Sequence, residues 1–192
     1  MYFYLSLIEA NPVFASQLGG SSGHIAVALS QNYPNLKLIV QDLPTVEQAF
    51  RAYVPTELTS RITFHAHDFF NPQPVVADVY FMKAVLHDWP DKYAIKVLRA
   101  LLPALRHGAR VILCENCLPP KYNEKGDKVM PLPVERMMTS LDLQMLVALN
   151  SKERTVHEWK NLLMQADKRF ELVNVATFPG TAWGLLEVVF RS

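Results

Sequence analysis

The sequence predicts a doubly wound α/β domain built on a mostly parallel β-sheet. Segments with strand and helix patterns alternate along the chain, which is typical of this fold class. The run Asp78–Leu86 (DVYFMKAVL) is apolar almost throughout, as expected for a parallel strand covered on both faces. A glycine cluster, Leu18–His24 (LGGSSGH), follows the first apolar run, at the turn where such folds bind ligands.

Length and composition indicate one globular domain, which we expect to span residues 1–192. Half of the residues are hydrophobic, and a formal net charge of +1 gives no strong field toward nucleic acid or an anionic membrane. No apolar stretch is long enough to cross a bilayer, and Met1–Ile8 lacks the basic region of a signal peptide. With two cysteines in total, the sequence predicts a reducing, cytoplasmic location.

Two short motifs, one with two cysteines and one with two histidines, could indicate a metal site or a redox site. The sequence favours neither kind of site. Cys114 and Cys117 form a CxxC pair, but they follow a strand pattern, whereas redox pairs open a helix. Positions three apart on a strand point to opposite faces, so we expect the two thiols to diverge. Zinc would need further ligands, and His65 with His67 likewise has no evident third partner. We predict no metal site.

Predicted elements before the fourth strand are a weak first strand Val13–Leu18, a helix His24–Gln31, a strand Leu36–Val40, a helix opened by the capping-box pattern Thr45–Gln48 and a strand Arg61–His65. After the fourth strand, Asp91 is expected to cap a helix with Pro103 in its kinked last turn and Gly108 at its end. The remaining elements are a strand Ala109–Glu115, a helix near Val134–Ala148, a helix opened by the capping box Thr155–Glu158, and strands Glu171–Ala176 and Leu185–Phe190.

Polar residues gather at the carboxyl ends of the predicted strands, where doubly wound sheets bind ligands. In strand order they are Gly19, Gly20 and Gly23, then Asp42, Asp68, Lys83, His87, Asp88 and Glu115. Asp42 lies about twenty residues beyond the glycines, where a carboxylate accepts hydrogen bonds from both ribose hydroxyls. This arrangement predicts a site for a nucleoside.

The glycine spacing indicates which nucleoside cofactor the site takes. The dinucleotide fingerprint G-x-G-x-x-G is not matched, and His24 is the one basic residue in the loop LGGSSGH. A cofactor without phosphates needs close backbone approach and a ribose acid, which the loop and Asp42 offer. The sequence therefore favours an adenosyl cofactor over a nicotinamide-dependent oxidoreductase, which stays as an alternative.

His87 is the candidate general base. It lies in the segment VLHDWPD, where the fourth strand leaves the sheet beside the predicted nucleoside. An imidazole has a pKa near working pH, which suits proton abstraction, and Glu115 on the next strand is placed to orient it. The alternative is a packed, hydrogen-bonded histidine of the core.

The segment FMKAVLHDWPD (residues 81–91) resembles the signature of the caffeate/polyketide-type S-adenosylmethionine-dependent O-methyltransferases of plants and fungi. Further segments resemble motifs of this family in the same order: LGGSSGH, IVQDLP, HDFF, VILCENCLP and SKERTVHEW. The resemblance runs from about Leu18 to the C-terminus. It implies a Rossmann-like methyltransferase fold, with a mostly parallel seven-stranded sheet and helices on both faces.

The same resemblance implies roles for individual residues. The cofactor would be S-adenosylmethionine, and the substrate a hydroxyl of a small aromatic or polyketide-like metabolite. His87 would be the base, flanked by Glu115 and Glu153, which would fix its ring; Glu153 rests on the resemblance alone. The implied cofactor-binding residues are Gly19, Gly20, Asp42, Asp68, Phe69 and Lys83.

Two departures from the family pattern shape the expectations. Gln17 stands where the family usually carries an acid, which we expect to weaken cofactor binding. The family's N-terminal dimerisation domain is expected to be absent, which would leave an exposed apolar face for a homo- or hetero-oligomeric partner. An inactive protein, a partner subunit or a non-methylating, pericyclase-like relative is therefore the alternative function.

Overall fold

The computed structural model describes residues 13–119, 125–126, 129–178 and 181–191. Eight strands form its β-sheet, and their bounds are β1 Val13–Leu18, β2 Leu36–Asp42, β3 Ile62–Ala66, β4 Val79–Lys83, β5 Arg110–Leu118, β6 Arg154–Thr155, β7 Phe170–Thr177 and β8 Trp183–Phe190. The strand order is β3-β2-β1-β4-β5-β8-β7, with the two-residue β6 beside β5. Strands β1 to β6 pair in parallel, and β8 is antiparallel to both β5 and β7. The predicted mostly parallel, seven-stranded sheet is confirmed, with β6 as a short addition.

Within the described residues, five α-helices accompany the sheet: α1 His24–Asn32, α2 Glu47–Tyr53, α3 Asp91–Ala100, α4 Leu132–Leu149 and α5 Val156–Ala166. Successive side chains of β4 and β5 point to opposite faces of the sheet, and helices lie on both of these faces. The paired residues Tyr80 and Val111 belong to the core cluster that contains the buried residues of α3 and α5. Their neighbours Phe81 and Ile112 point the other way, toward the side of α1.

A cavity of about 600 Å³ lies between α1 and the open part of this second face. Its lining is apolar and comes from α1 and from the sheet, mainly from β1, β2, β4 and β5. None of the predicted catalytic or cofactor-binding residues lines it. This cavity is therefore separate from the predicted site.

The first strand corrects one expectation. Polar residues made Val13–Leu18 a poor candidate strand, yet β1 lies in the middle of the sheet, between β2 and β4. The hydroxyl of Ser16 donates to the side-chain oxygen of Gln41 on β2, so these two buried polar groups satisfy each other. Pairing on both sides satisfies the backbone of β1, which outweighs the low strand preference of its residues.

Several predicted helix starts and ends differ in the structure. A 3₁₀ turn, Pro44–Val46, precedes α2, whose N-cap makes no side-chain hydrogen bond, so the first predicted capping box is absent. Asp91 is the first residue of α3 rather than its cap, because its carboxylate binds Arg154 instead. Helix α3 ends at Ala100, so Pro103 lies beyond the helix and the predicted kink in the last turn is absent.

Helix α5 begins as predicted. The hydroxyl of Thr155 accepts from the backbone N–H of Glu158, and the Glu158 carboxylate accepts from the backbone N–H of Thr155. The predicted apolar face is buried and consists of Trp159, Leu162, Leu163 and Ala166. Both the capping box and the helix face are confirmed.

Helix α4 is apolar but largely exposed. Met138 is its one buried residue, and the large hydrophobic side chains that it exposes are Leu132, Val134, Met137, Leu143, Leu146, Val147 and Leu149. A surface of this kind is typical of an interaction site. Among the residues that the structure describes, no helix has the length and apolarity needed to cross a membrane.

The two cysteines of the CxxC pair are free thiols on β5. Cys117 is buried, and burial raises the pKa of its thiol to about 12, which keeps it protonated and unreactive. Burial likewise raises the pKa of Cys114. Within the described ranges, no three histidine, cysteine or acidic side chains form a group able to hold a metal ion.

Candidate active site

His87 lies on a tight turn that follows β4. The strand ends at Lys83, earlier than predicted, and Ala84 adopts a positive φ of 53° before the 3₁₀ turn Leu86–Asp88. Oε1 of Glu115 accepts hydrogen bonds from the backbone N–H groups of Val85, at 3.1 Å, and of Leu86, at 2.8 Å. Glu115 therefore fixes the backbone of the turn. Its hydrogen bonds go to these amides, and not to the His87 ring as the resemblance implied.

The imidazole of His87 is buried between two carboxylates. Its Nδ1 lies 3.2 Å from Oε1 of Glu153, and its Nε2 lies 3.4 Å from Oδ1 of Asp88. The hydroxyl of Ser151 donates to the backbone oxygen of His87 over 2.6 Å. This hydrogen bond holds the backbone of the turn in addition to those accepted by Glu115. Glu153, the residue that rested on the resemblance alone, thus makes the direct contact with the ring.

Glu153 belongs to a short loop between α4 and β6. Its backbone N–H donates to Oδ1 of Asp142 on α4, and its carboxylate is wholly buried. The next residue, Arg154, is buried too, and its guanidinium donates to the backbone oxygens of Leu86 and Trp89. The loop that carries Glu153 is therefore attached to the turn that carries His87.

Burial and charge act in opposite directions on the titration of His87. Burial lowers its pKa, whereas the hydrogen bond with Glu153 and the charges of Glu115, Glu153 and Asp88 raise it. The net effect is a pKa above the ordinary value for histidine. Burial raises the pKa of Glu115 to about 7, and it also raises the pKa of Asp88.

The glycine loop is packed closely against the sheet and the His87 turn. A Cβ on Gly20 would lie 2.5 Å from Cγ1 of Val40, and one on Gly19, where φ is +64°, would lie 2.9 Å from Cγ2 of Val85. Neither position has room for a side chain. Asp42 closes the loop from β2, because its Oδ2 accepts the backbone N–H of Ser21 at 2.8 Å.

The ends of β3 and β4 meet the same loop. Phe69 lies against Gly19, with Cε1 3.8 Å from the position of a Cβ there, and Oδ1 of Asp68 accepts the backbone N–H of Phe70. The ammonium of Lys83 lies 4.6 Å from the ring centroid of Trp183. The centroid of that ring is 6.3 Å from the centroid of the His87 imidazole, so Trp183 neighbours both the ammonium and the base.

The structure brings the predicted residues together at the carboxyl edge of the sheet, along the ends of β1 to β5. Sequence reasoning placed Asp88 at the strand ends but gave it no contact with the ring, and it missed the other residues that hold the site: Asn116, Asp142, Ser151, Arg154 and Trp183. Asn116 lies in the segment VILCENCLP, and Ser151 and Arg154 lie in the segment SKERTVHEW, so these three had a local signal. Trp183 had none, because its position opposite Asn116 follows from the pairing of β5 with β8.

The profile of the O-methyltransferase domain family matches residues 13–168. An O-methyltransferase of the grayanic acid biosynthesis cluster of Cladonia grayi is 42% identical over 176 residues, which cover 91% of this chain and 38% of the relative. The fold, the site geometry and these matches agree, and the chain belongs to the O-methyltransferase domain family.

Solved structures give the same fold. One described as a pericyclic reaction enzyme is 30% identical, with a TM-score of 0.78 over 96% of this chain and 44% of that one. The O-methyltransferase NcsB1 from neocarzinostatin biosynthesis, in complex with S-adenosylmethionine and 2-hydroxy-5-methyl naphthoic acid, is 27% identical. Its TM-score is 0.75, over 93% of this chain and 49% of that one. The chain spans less than half the length of each of these three proteins.

Proposed function

We propose that the protein is an S-adenosylmethionine-dependent O-methyltransferase that acts on a hydroxyl of a small aromatic or polyketide-like metabolite. One observation carries the proposal: the contact between Nδ1 of His87 and Oε1 of Glu153, beside the glycine loop at the carboxyl edge of the sheet. That pair is equipped to take a proton from a substrate hydroxyl. Membership of the O-methyltransferase domain family and the relatives' names support the same reaction.

The donor set around the loop suits an adenosyl cofactor. Asp42 accepts a backbone N–H on each carboxylate oxygen and Asp68 accepts one on Oδ1. Each carboxylate oxygen can accept more than one hydrogen bond, so both groups can still bind hydroxyl and amino groups. The loop carries no lysine or arginine for a phosphate, and its glycines let the backbone approach a ligand closely. We assign the cofactor to Gly19, Gly20, Asp42, Asp68, Phe69 and Lys83.

The proposed chemistry needs few groups. S-adenosylmethionine, when bound, supplies a methyl group that its positive sulfur has already activated. With its Nδ1 proton held by Glu153, His87 presents the lone pair of Nε2 and takes the proton of the substrate hydroxyl. The resulting imidazolium is stabilised by Glu153 on one side and by Asp88 on the other. The substrate oxygen, now an anion, is the nucleophile.

The exposed apolar residues of α4 support a proposal about assembly. We infer that another polypeptide surface covers them, either a second chain or a further part of a longer protein. The relatives named above are more than twice as long as the part that this chain matches, which supports such a cover. The described residues 13–191 then form one cofactor-binding and catalytic unit.

A second candidate function rests on one comparison. A structure 30% identical to this chain is described as a pericyclic reaction enzyme, so a methyltransferase fold of this kind also serves chemistry without methyl transfer. In that case the chain would bind the cofactor without using its methyl group. The two candidates differ in whether a labelled methyl group reaches the product.

Calorimetric titration of the 192-residue chain with S-adenosylmethionine, with NAD as the control ligand, tests the cofactor assignment first. Binding of S-adenosylmethionine alone is expected, and binding of NAD alone would overturn the assignment. Incubation with methyl-labelled cofactor and a panel of phenolic and enolic polyketides then tests the reaction. Product without label would favour the second candidate.

A further inference from the structure

Asn116 contacts the carboxylate that holds the His87 ring. Its side-chain Nδ2 donates to Oε1 of Glu153 over 2.6 Å, and the same oxygen lies 3.2 Å from Nδ1 of His87. All three residues are buried. A single carboxylate oxygen therefore connects the amide to the imidazole.

The amide belongs to a residue held by strand pairing. Asn116 lies within β5, opposite Trp183 of β8, and its backbone oxygen accepts from the indole N–H of Trp159 over 3.2 Å. Glu153, by contrast, lies on a loop. Within the described chain, the second carboxylate oxygen of Glu153 is buried without a hydrogen-bond partner, so Asn116 and His87 alone orient the carboxylate.

We propose that Asn116 is a positioning residue whose amide orients the Glu153 carboxylate and thereby keeps the proton of neutral His87 on Nδ1. A carboxylate faces each ring nitrogen, and the shorter contact, 3.2 Å from Oε1 of Glu153 to Nδ1 against 3.4 Å from Oδ1 of Asp88 to Nε2, favours the tautomer in which Nδ1 carries the hydrogen. If the Glu153 carboxylate turns away, Asp88 favours the hydrogen on Nε2 instead. For its catalytic consequence the inference rests on the proposed function, because a free Nε2 matters when His87 takes a substrate proton. Its structural content does not depend on methyl transfer.

The charges around the ring allow a clean test. The groups that face His87 are Glu153 from the loop after α4, Glu115 from β5 and Asp88 from the turn itself. Replacing neutral Asn116 by a neutral residue leaves all three in place. A change in the tautomer then reports the orientation of Glu153 rather than a change in net charge.

The test is nitrogen NMR of the chain labelled with ¹⁵N-histidine, at a pH where His87 is neutral. Asn116→Leu keeps a similar volume without the donor, and Asn116→Ser, whose side chain is too short to reach Glu153, keeps polarity in case the leucine does not fold. The Nδ1–H form is expected to dominate in the parent protein, and the Nε2–H form in both variants. Asn174→Leu, on β7 two strands away, is the matched control and keeps the parent spectrum.

Unchanged tautomer populations in both folded Asn116 variants would overturn the proposal, as would an Nε2–H form that dominates in the parent. In a methyl-transfer assay, kcat of the Asn116 variants is expected to fall about tenfold or more, with KM for the cofactor unchanged. A tautomer change in a chain that transfers no methyl group would keep the positioning role and count against the proposed function alone.

Discussion

Oε1 of Glu153 lies 3.2 Å from Nδ1 of His87, although 66 residues separate the two in sequence. The contact holds because Arg154, the residue after Glu153, donates to the backbone oxygen of Leu86, the residue before His87. Two adjacent pairs of residues thus fasten the loop after α4 to the turn after β4. The candidate base and its carboxylate partner are positioned by the same attachment.

His87→Ala is expected to reduce kcat for methyl transfer by about 10²–10⁴-fold, because general-base catalysis contributes on that order. The dissociation constant for S-adenosylmethionine should not change, since His87 is assigned to the substrate. Calorimetry and a labelled-methyl assay check both numbers. His157→Ala, which removes an exposed histidine from α5, is the matched control and should keep full activity. Retention of activity by His87→Ala would show that another group takes the proton.

The pH dependence of methyl transfer should follow the titration of His87. The base works as neutral imidazole, and the neighbouring carboxylates raise its pKa above the ordinary value. The rate is therefore expected to fall as the pH drops, with a midpoint above the usual pKa of histidine. Glu153→Gln removes the negative charge that helps to raise the pKa and leaves only a neutral acceptor, so its midpoint should move to lower pH. An unchanged midpoint would show that Glu153 does not raise the pKa of His87.

Glu115→Gln should change how stability depends on pH. Burial raises the pKa of Glu115 to about 7 in the folded protein, from an ordinary value of 4.5. The folded state therefore binds the proton more tightly, and stability falls as the pH rises between these two values. Relative to the variant, the free energy of unfolding of the parent should fall by about 2 kcal/mol between roughly pH 5 and pH 8. Urea unfolding at both pH values measures the difference, and parallel curves would contradict the assignment.

Gln17→Glu is expected to strengthen cofactor binding. Gln17 is buried, its side-chain oxygen has no hydrogen-bond partner among the described residues, and it lies next to Gly20 of the loop. A carboxylate there offers a charged acceptor, and hydrogen bonds to charged groups contribute roughly 1.5–3 kcal/mol. The dissociation constant should fall about tenfold or more in calorimetry. Gln31→Glu, at an exposed position of α1, should leave it unchanged.

Thr155→Ala should lower the free energy of unfolding by about 1 kcal/mol, because it removes the N-cap that starts α5. Chemical denaturation measures the loss. Thr139→Ala is a suitable comparison, since Thr139 is exposed within α4 and its hydroxyl donates to the backbone oxygen of Glu135. A loss no larger than that of Thr139→Ala would show that the capping box contributes little.

Local patterns were enough to predict most strands, the start of α5 and the positions of Asp42 and His87 at strand ends. These features depend on residues close in sequence, so the spacing and capping residues of each segment are enough to predict them. The same local patterns erred at α3, where Asp91 was read as a cap. Its carboxylate binds Arg154, a residue 63 positions away, and no local pattern contains that contact.

The environment of His87 shows why the rest of the site was not predictable. The roles of Glu115 and Asn116 follow from neighbouring positions on β5 whose side chains reach different partners. The part played by Trp183 follows from the antiparallel register of β8, in which Trp183 lies opposite Asn116. Strand register is set by tertiary packing, so a single sequence does not fix which side chains meet.

The central place of β1 has a consequence for how the chain folds. Ala15 of β1 pairs with Leu38 of β2 and also with Val79 of β4, far along the chain. Loop-closure entropy opposes such distant parallel pairings, so their formation is slow compared with local hairpins and helices. The turn bearing His87 needs Glu115 of β5, which accepts two of its backbone N–H groups. We therefore expect this turn to be completed only after β4 and β5 have paired, so that the candidate base reaches its final geometry late in folding.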